Sequence, residues 1–439
     1  MSALLLRGRV LSFRAKPESV DDHAAYVFEE DGGVLVRDGR VVAVGEFSTV
    51  ATQASDVEIV DHHPHLILPG FIDAHVHMPQ MQVIASYGAE LLDWLNSYTF
   101  PEETKFRDSQ HGRRIARLFL DESVRHGTTT VAAFCSVHRE SADAFFAEAL
   151  ARDMRVIAGK VMMDRNAPDG LRDTPQSGYD DTKALIGEWH GRGRLHYAIT
   201  PRFAITSSPE QLEAAGALAR EFAHLHIQTH LSENHAEIAL TGELYPDAKD
   251  YTDIYDRYGL LGSRTLLGHC IHLSPREADA IHEAGAVAVF CPTSNLFLGS
   301  GLFDWQGFSR RPKPLRIAAA TDVGGGTSYS MLRTMDEAYK VIALQGEKIN
   351  PLASFWQITA GNAEALSLAG HVGRLEPGMD ADMVVLDARA TPAMRLRMEN
   401  VETLAEELFL LQTMGDDRAV AETYVAGRPA KTALEQRAF

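Results

Sequence analysis

Residues 66–80 read LILPGFIDAHVHMPQ. An apolar run meets Pro69-Gly70, and a short strand beyond it carries His75 and His77. On a strand, positions i and i+2 share a face. The two imidazoles therefore point the same way, their bases about 6–7 Å apart. One metal ion at about 2.0–2.1 Å from each nitrogen can join them. The stretch also divides the chain in character: before it the pattern is all β, and beyond it strand alternates with helix.

Upstream, residues 3–10, 26–45 and 56–60 read as strands. VLVRDGRVVAVG alternates around Asp38-Gly39, the signature of a type I′ hairpin. Downstream, strands are expected at 127–135, 155–163, 196–203, 225–233, 264–270, 286–292 and 316–322. Helices are expected at 140–152, near 180–190, at 209–223, near 250–259, at 275–284 and at 331–345, with an irregular stretch after residue 233. With the strand of His75 that makes eight β units joined by α crossovers, which fits a TIM (β/α)8 barrel better than an open doubly wound sheet. Further helices are expected over 351–369. After His371 the β character returns: VGRLEPGMDADMVVLD reads as two strands about Glu376-Pro377-Gly378, and ETYVAGRPAK as another. The fold class is thus α/β, a barrel over residues 69–371 with a small β-sandwich domain formed by both chain ends, 1–68 and 372–439.

Composition narrows the function. The chain has 439 residues, 45% hydrophobic and 23% charged, as in an ordinary globular protein. No apolar run approaches the ~18–20 residues that cross a bilayer. MSALLLRGRVLSF has too short an apolar stretch for a secretory signal, so a cytoplasmic protein without membrane partners is expected. A formal net charge of −18 argues against nucleic acid as a partner, since phosphate binding needs a basic surface. It leaves room for a small neutral substrate. Cys135, Cys270 and Cys291 form neither a disulfide framework nor a Cys-X-X-Cys clip and read as small core residues. His62, His63 and His65 lack metal-site spacing.

The active site of a TIM barrel lies at the C-terminal ends of its strands, and the chemically capable residues fall there. His75 and His77 end the first strand, Arg202 and Phe203 the fourth, His230 the fifth with Glu233 three residues on, His269 the sixth and Asp322 the eighth. Singly, each has a bland explanation, such as a loop hydrogen bond or a helix cap; together on one rim they argue for a site. Imidazoles with one carboxylate suit zinc, with iron or manganese as alternatives. Such an ion lowers the pKa of bound water toward neutrality. Asp322 is placed to take the water proton, and Glu233 to shuttle protons rather than to ligate. Thr293, Ser294 and Asn295 follow the seventh strand, where pocket lining and turn chemistry explain them equally well.

The pattern resembles the amidohydrolase superfamily, in the branch with His-X-His, two later histidines and a strand-eight aspartate. Within it the chain is similar to the guanine deaminases in PGFIDAHVHMPQ, LLDWLNSYTFPEE, HGTTT, TPRF, QTHLSEN, LGHC, CPTSNL, GTSYSML after TDVGG, and GDDR at 415–418. The resemblance implies zinc, one per subunit, on His75, His77, His230 and Asp322. His269 is implied as a further ligand or as the holder of the metal-bound water. It implies substrate contacts from Gln80, Arg202, Phe203, His230, Glu233 and Asp322, catalysis by Glu233, Asp322 and His269, and a homodimer. The reaction implied is hydrolytic deamination of guanine at C2 to xanthine and ammonia. Guanine presents adjacent O6 and N7 acceptors, an edge that arginine reads with parallel donors. Asp416, Asp417 and Arg418 are explained by capping or surface pairing. A deaminase or chlorohydrolase for a triazine, pterin or modified purine would share the metal site and differ at Gln80, Arg202 and Phe203. A non-catalytic scaffold would lack the ligands present here.

Overall fold

The computed structural model describes residues 3–54, 57–87 and 90–437. The predicted Asp38-Gly39 turn is present. It joins Tyr26–Arg37 to Arg40–Glu46, with positive φ at both turn residues (51° and 78°), as a type I′ hairpin requires. These strands lie in a seven-stranded sheet with Ala3–Phe13, Glu58–Pro69, Met383–Leu386, Val420–Val425 and Arg428–Pro429. Glu58–Pro69 pairs parallel with the first strand and antiparallel with Met383–Leu386. That single strand unites the two ends of the chain. Residue 56, expected in it, lies outside the described residues.

Beyond Pro69 the same course continues into Phe71–His77, the first of eight parallel barrel strands. The others are Thr128–Phe134, Arg155–Gly159, Leu195–Pro201, His226–Leu231, Thr265–His269, Val287–Phe290 and Arg316–Ala319. Each pairs with the next in chain order; a two-residue strand, Val161–Met162, adds to the edge of the fourth. The ends of the row meet: Asp322 N–H donates to His75 O (3.0 Å) and His77 N–H to Val323 O (2.9 Å). The result is the expected α/β barrel with a separate sheet built from both chain ends. Ile72, Ala132, Ile157, Ala198, Leu266, Val287, Val289 and Ala318 form an inner cluster, while Val131, Ala133 and Val156 pack outward against the helices. Among the described residues no helix is long and apolar enough to cross a membrane.

Several local expectations need correction. The stretch after residue 233 holds a helix, His235–Leu244, whose buried residues are the polar Glu237 and Thr241, so apolar periodicity passes over it. VGRLEPGMDADMVVLD supplies only Met383–Leu386. Its first half finds its backbone partners in the N-terminal segment instead of in a hairpin: Leu375 N–H donates to Ser12 Oγ and Gly378 N–H to Val41 O. ETYVAGRPAK turns at Ala426-Gly427 and runs into a terminal helix, Lys431–Arg437. Helices Ser109–Arg125 and Leu404–Met414 also lie outside the expected set.

A buried ionic cluster clamps the lower end of the barrel to the end sheet. Arg155 and Arg194, at the starts of the third and fourth strands, both reach Asp380 Oδ2 (2.7 and 3.0 Å), and Arg194 also reaches Asp382 (2.7 Å). Removing one member of a buried pair strands the other charge, at about 3–5 kcal/mol. Asp380→Ala is therefore expected to lose stability on that scale, read as a lower urea midpoint; an unchanged midpoint would refute it.

Candidate active site

The histidine pair sits where the first strand breaks register. The ladder to the second strand shifts between Asp73 and Val76. Ile72 and Ala74 belong to the inner cluster, whereas Val76 belongs to the outer one. A bulge of this kind re-aims side chains, and it turns His75 and His77 together toward the upper mouth of the barrel, ring centroids 5.2 Å apart. Gly268, on the sixth strand, makes the room: a Cβ there would lie 2.7 Å from His75 Cε1.

Three other strand ends converge on this pair. His77 Nε2 lies 3.0 Å from His230 Nε2. Asp322 Oδ1 lies 3.5 Å from Nε2 of both His75 and His77. His269 Nε2 is 3.8 Å from Asp322 Oδ2 and 3.3 Å from Glu233 Oε2. All six residues are buried. His269, Cys270, Asp322 and Ser232 carry positive φ at these strand ends (72°, 53°, 51° and 50°), a backbone cost of about 1–3 kcal/mol each that gathers at functional sites.

The donors fit a cation. His230 Nδ1–H donates to the Arg202 carbonyl (2.7 Å), which leaves its Nε2 as a lone pair aimed inward. His75 Nε2 is buried and has no hydrogen-bond partner among the described residues. One ligand atom from each of His75, His77 and His230 falls within 4.8 Å of the others, and the same holds for His75, His269, Cys291 and Asp322. Unpaired buried nitrogens are costly, and a shared metal ion removes that cost.

The amidohydrolase family model matches residues 66–430. The chain belongs to the amidohydrolase family. It is 45% identical over 410 residues to the guanine deaminase of Escherichia coli (strain K12), covering 92% of this chain and 92% of that protein. The solved structure of E. coli guanine deaminase superposes with a TM-score of 0.93 at 42% identity, covering 98% of this chain and 99% of that one. Guanine deaminase from C. acetobutylicum with bound guanine in the active site gives 0.87 at 29% identity, over 98% and 100%.

Amidohydrolases are metal-dependent, and the histidine and aspartate cluster is where this one can hold its ion. Burial, reinforced by neighbouring imidazoles and Arg202, holds His75, His77 and His230 well below the usual imidazole range, so they stay neutral and able to ligate. Burial also pushes the carboxyls of Glu233 and Asp322 up to about 7. A divalent ion beside Asp322 acts in the opposite direction and favours its anion. Glu233 keeps one oxygen on Ser300 Oγ–H (2.9 Å) and faces His269 with the other.

Beside the cluster lies a cavity lined among others by Gln80, Leu91, Trp94, Arg202, Phe203 and Glu233. The fourth strand ends at Pro201, so Arg202 and Phe203 stand just beyond it, both buried. All nine residues singled out in the sequence meet in or beside this cavity. Asp416 and Arg418 pair with each other on the surface (2.6 Å), and His63 and His65 pair with Asp31 and Asp387.

Sequence reasoning missed four supports of this amidohydrolase site. Asp73 ties the first strand to the eighth, accepting from Thr321 N–H (3.0 Å) and the Thr321 hydroxyl. Asn295, left open in the sequence, accepts from His269 Nδ1 (2.9 Å), which turns Nε2 toward the carboxylates. Tyr255 donates to the His230 carbonyl (2.8 Å) and accepts from Ala204 N–H (3.1 Å), bracing the ends of two strands. Glu103 bonds both Gln80 and Arg202. A hydrophobic pattern carries no signal for buried acids. The acidic pair Glu102-Glu103 in the LLDWLNSYTFPEE stretch was the one legible hint.

Proposed function

We propose that this amidohydrolase is a guanine deaminase, converting guanine and water into xanthine and ammonia in purine catabolism or salvage. The observation that carries the reading is the joining of two sites in one cavity: a donor set for a metal and, beside it, the arginine, glutamine and phenylalanine that suit a 6-oxopurine. The identity to named guanine deaminases over nearly the whole chain supports it. Zinc is the ion that fits three neutral imidazoles and one carboxylate, here His75, His77, His230 and Asp322, with His269 as a fifth group at the ion or at its water. A homodimer belongs to the same reading and rests on the resemblance of the motifs, while cytoplasmic residence rests on the sequence pattern alone.

The chain's own groups divide the work. Arg202 donates to the O6 and N7 edge. Phe203 walls the purine and sets its plane. A zinc ion supplies Lewis acidity and brings water toward ionisation at neutral pH. Asp322 takes the proton of the attacking water. Glu233, on the far side of His269, protonates the ring nitrogen beside C2, and C2 becomes tetrahedral as its C–O bond forms. Asp322 then passes the water proton to the amino group, Glu233 takes back a proton from the new C2 hydroxyl as it becomes a carbonyl, the C–N bond breaks, and ammonia leaves. Leu91, Trp94 and Leu95 give the cavity an apolar wall beside these groups.

The test is ammonia release by zinc-loaded protein offered guanine, 8-oxoguanine, adenine and a melamine-type triazine, with xanthine as the product expected from guanine. Guanine is expected to give the highest kcat/KM and adenine to fall short by about 10⁴-fold, the scale at which a site built for one hydrogen-bond pattern rejects its inverse. Preference for a triazine or for adenine would overturn the reading.

A further inference from the structure

Glu103 lies at the end of the helix Phe100–Glu103, on the long segment between the first and second barrel strands, and its side chain is 1% exposed. Its carboxylate accepts from Arg202 Nη1 with both oxygens (2.9 and 2.8 Å) and from Gln80 Nε2 with Oε1 (2.9 Å). Arg202 is further held over the Phe100 ring, its Cζ 5.5 Å from the centroid. These contacts have a consequence for what the cavity presents. A carboxylate paired to arginine only accepts, so the amide of Gln80 must turn its NH₂ toward Glu103. One N–H of the Gln80 amide is thereby spent on Glu103, and its carbonyl, Oε1, is the acceptor left for a ligand. In the same way Nη1 of Arg202 is occupied, and Nη2 and Nε remain.

We propose that Glu103 is the specificity-determining positioning residue of this pocket: by holding one end of Gln80 and one nitrogen of Arg202, it makes the cavity present an acceptor beside a pair of donors. That order is the complement of a lactam edge, in which N7 and O6 accept and N1–H donates. An amidine edge such as that of adenine carries a donor at position 6 and an acceptor at N1, and is opposed at both places. The inference deepens the guanine reading and rests on it.

The isosteric change Glu103→Gln tests it. One of the two donors that residue 103 faces then meets an N–H in place of an oxygen. Gln80 relieves the conflict by rotating its amide, which turns its NH₂ into the cavity. The measurement is the ratio of inhibition constants for adenine and hypoxanthine, two purines without the 2-amino group that differ at position 6 and in the proton on N1. In the wild type the ratio is expected to be about 100, the discrimination carried by one good bidentate pair of contacts. In Glu103→Gln it is expected to fall to about 10 or less with zinc content unchanged. Glu103→Asp, which keeps the charge and withdraws it by one methylene, is expected to give an intermediate ratio and serves if the first variant fails to fold. A merely structural role weakens both inhibitors together and leaves the ratio alone, so an unchanged ratio overturns the inference whatever happens to the rate. Wild-type protein that forms xanthine while the variants keep the ratio removes this inference and leaves the guanine reading standing. Wild-type protein that forms no xanthine removes the guanine reading, and this inference with it.

Discussion

Glu233→Gln is expected to lower guanine turnover by about 10³-fold while leaving zinc in place. The change is isosteric, and the oxygen that accepts from Ser300 Oγ–H (2.9 Å) survives as the amide carbonyl. His75, His77, His230 and Asp322 are untouched, so metal analysis should read as in the wild type. The loss comes from chemistry alone, because an amide neither delivers a proton to the ring nitrogen nor takes one back from the C2 hydroxyl. A pH profile separates this from a packing effect. Burial pushes the Glu233 carboxyl up to about 7. A raised carboxyl pKa means that the acid form persists to higher pH, so wild-type kcat/KM should fall above pH 7 as that proton is lost. The variant should lack this limb. Turnover near the wild-type rate would remove Glu233 from the mechanism.

His230→Ala is expected to empty the metal site and reduce turnover by about 10³-fold or more, since the ion contributes several kcal/mol to the barrier. This histidine serves on two sides. Nε2 faces His77 Nε2 at 3.0 Å, and Nδ1 donates to the Arg202 carbonyl at 2.7 Å. On the proposed assignment truncation removes a ligand, and it also releases the backbone of Arg202. Added zinc should therefore restore activity only in part, whereas wild-type protein stripped by a chelator should recover fully on reloading. Full zinc content in His230→Ala would remove His230 from the ligand set.

Alternation around Asp38-Gly39 and the rhythm of strands after Pro69 were enough to read an end domain and an eight-stranded barrel, because each pattern reports a local burial period. The helix His235–Leu244 escaped because its buried face is polar, and 372–378 escaped because its backbone partners lie in the N-terminal strands more than 300 residues away. Nothing local records such partners.

The site divides along the same line. Residue type and place on the barrel rim nominated His75, His77, His230, His269, Asp322, Glu233, Arg202 and Phe203, since a (β/α)8 chain delivers its strand ends to one face, and the resemblance of the motifs added Gln80 and the substrate roles. The sequence alone thus determined the fold class and the candidates for the site. Tertiary structure decided orientation. The bulge that aims the histidine pair, the Asn295 contact that turns His269, and the Glu103 carboxylate that dictates which end of Gln80 faces a ligand all depend on which buried donor meets which buried acceptor. That matching is imposed by the cost of leaving either one unpaired, and it is settled only when distant segments pack.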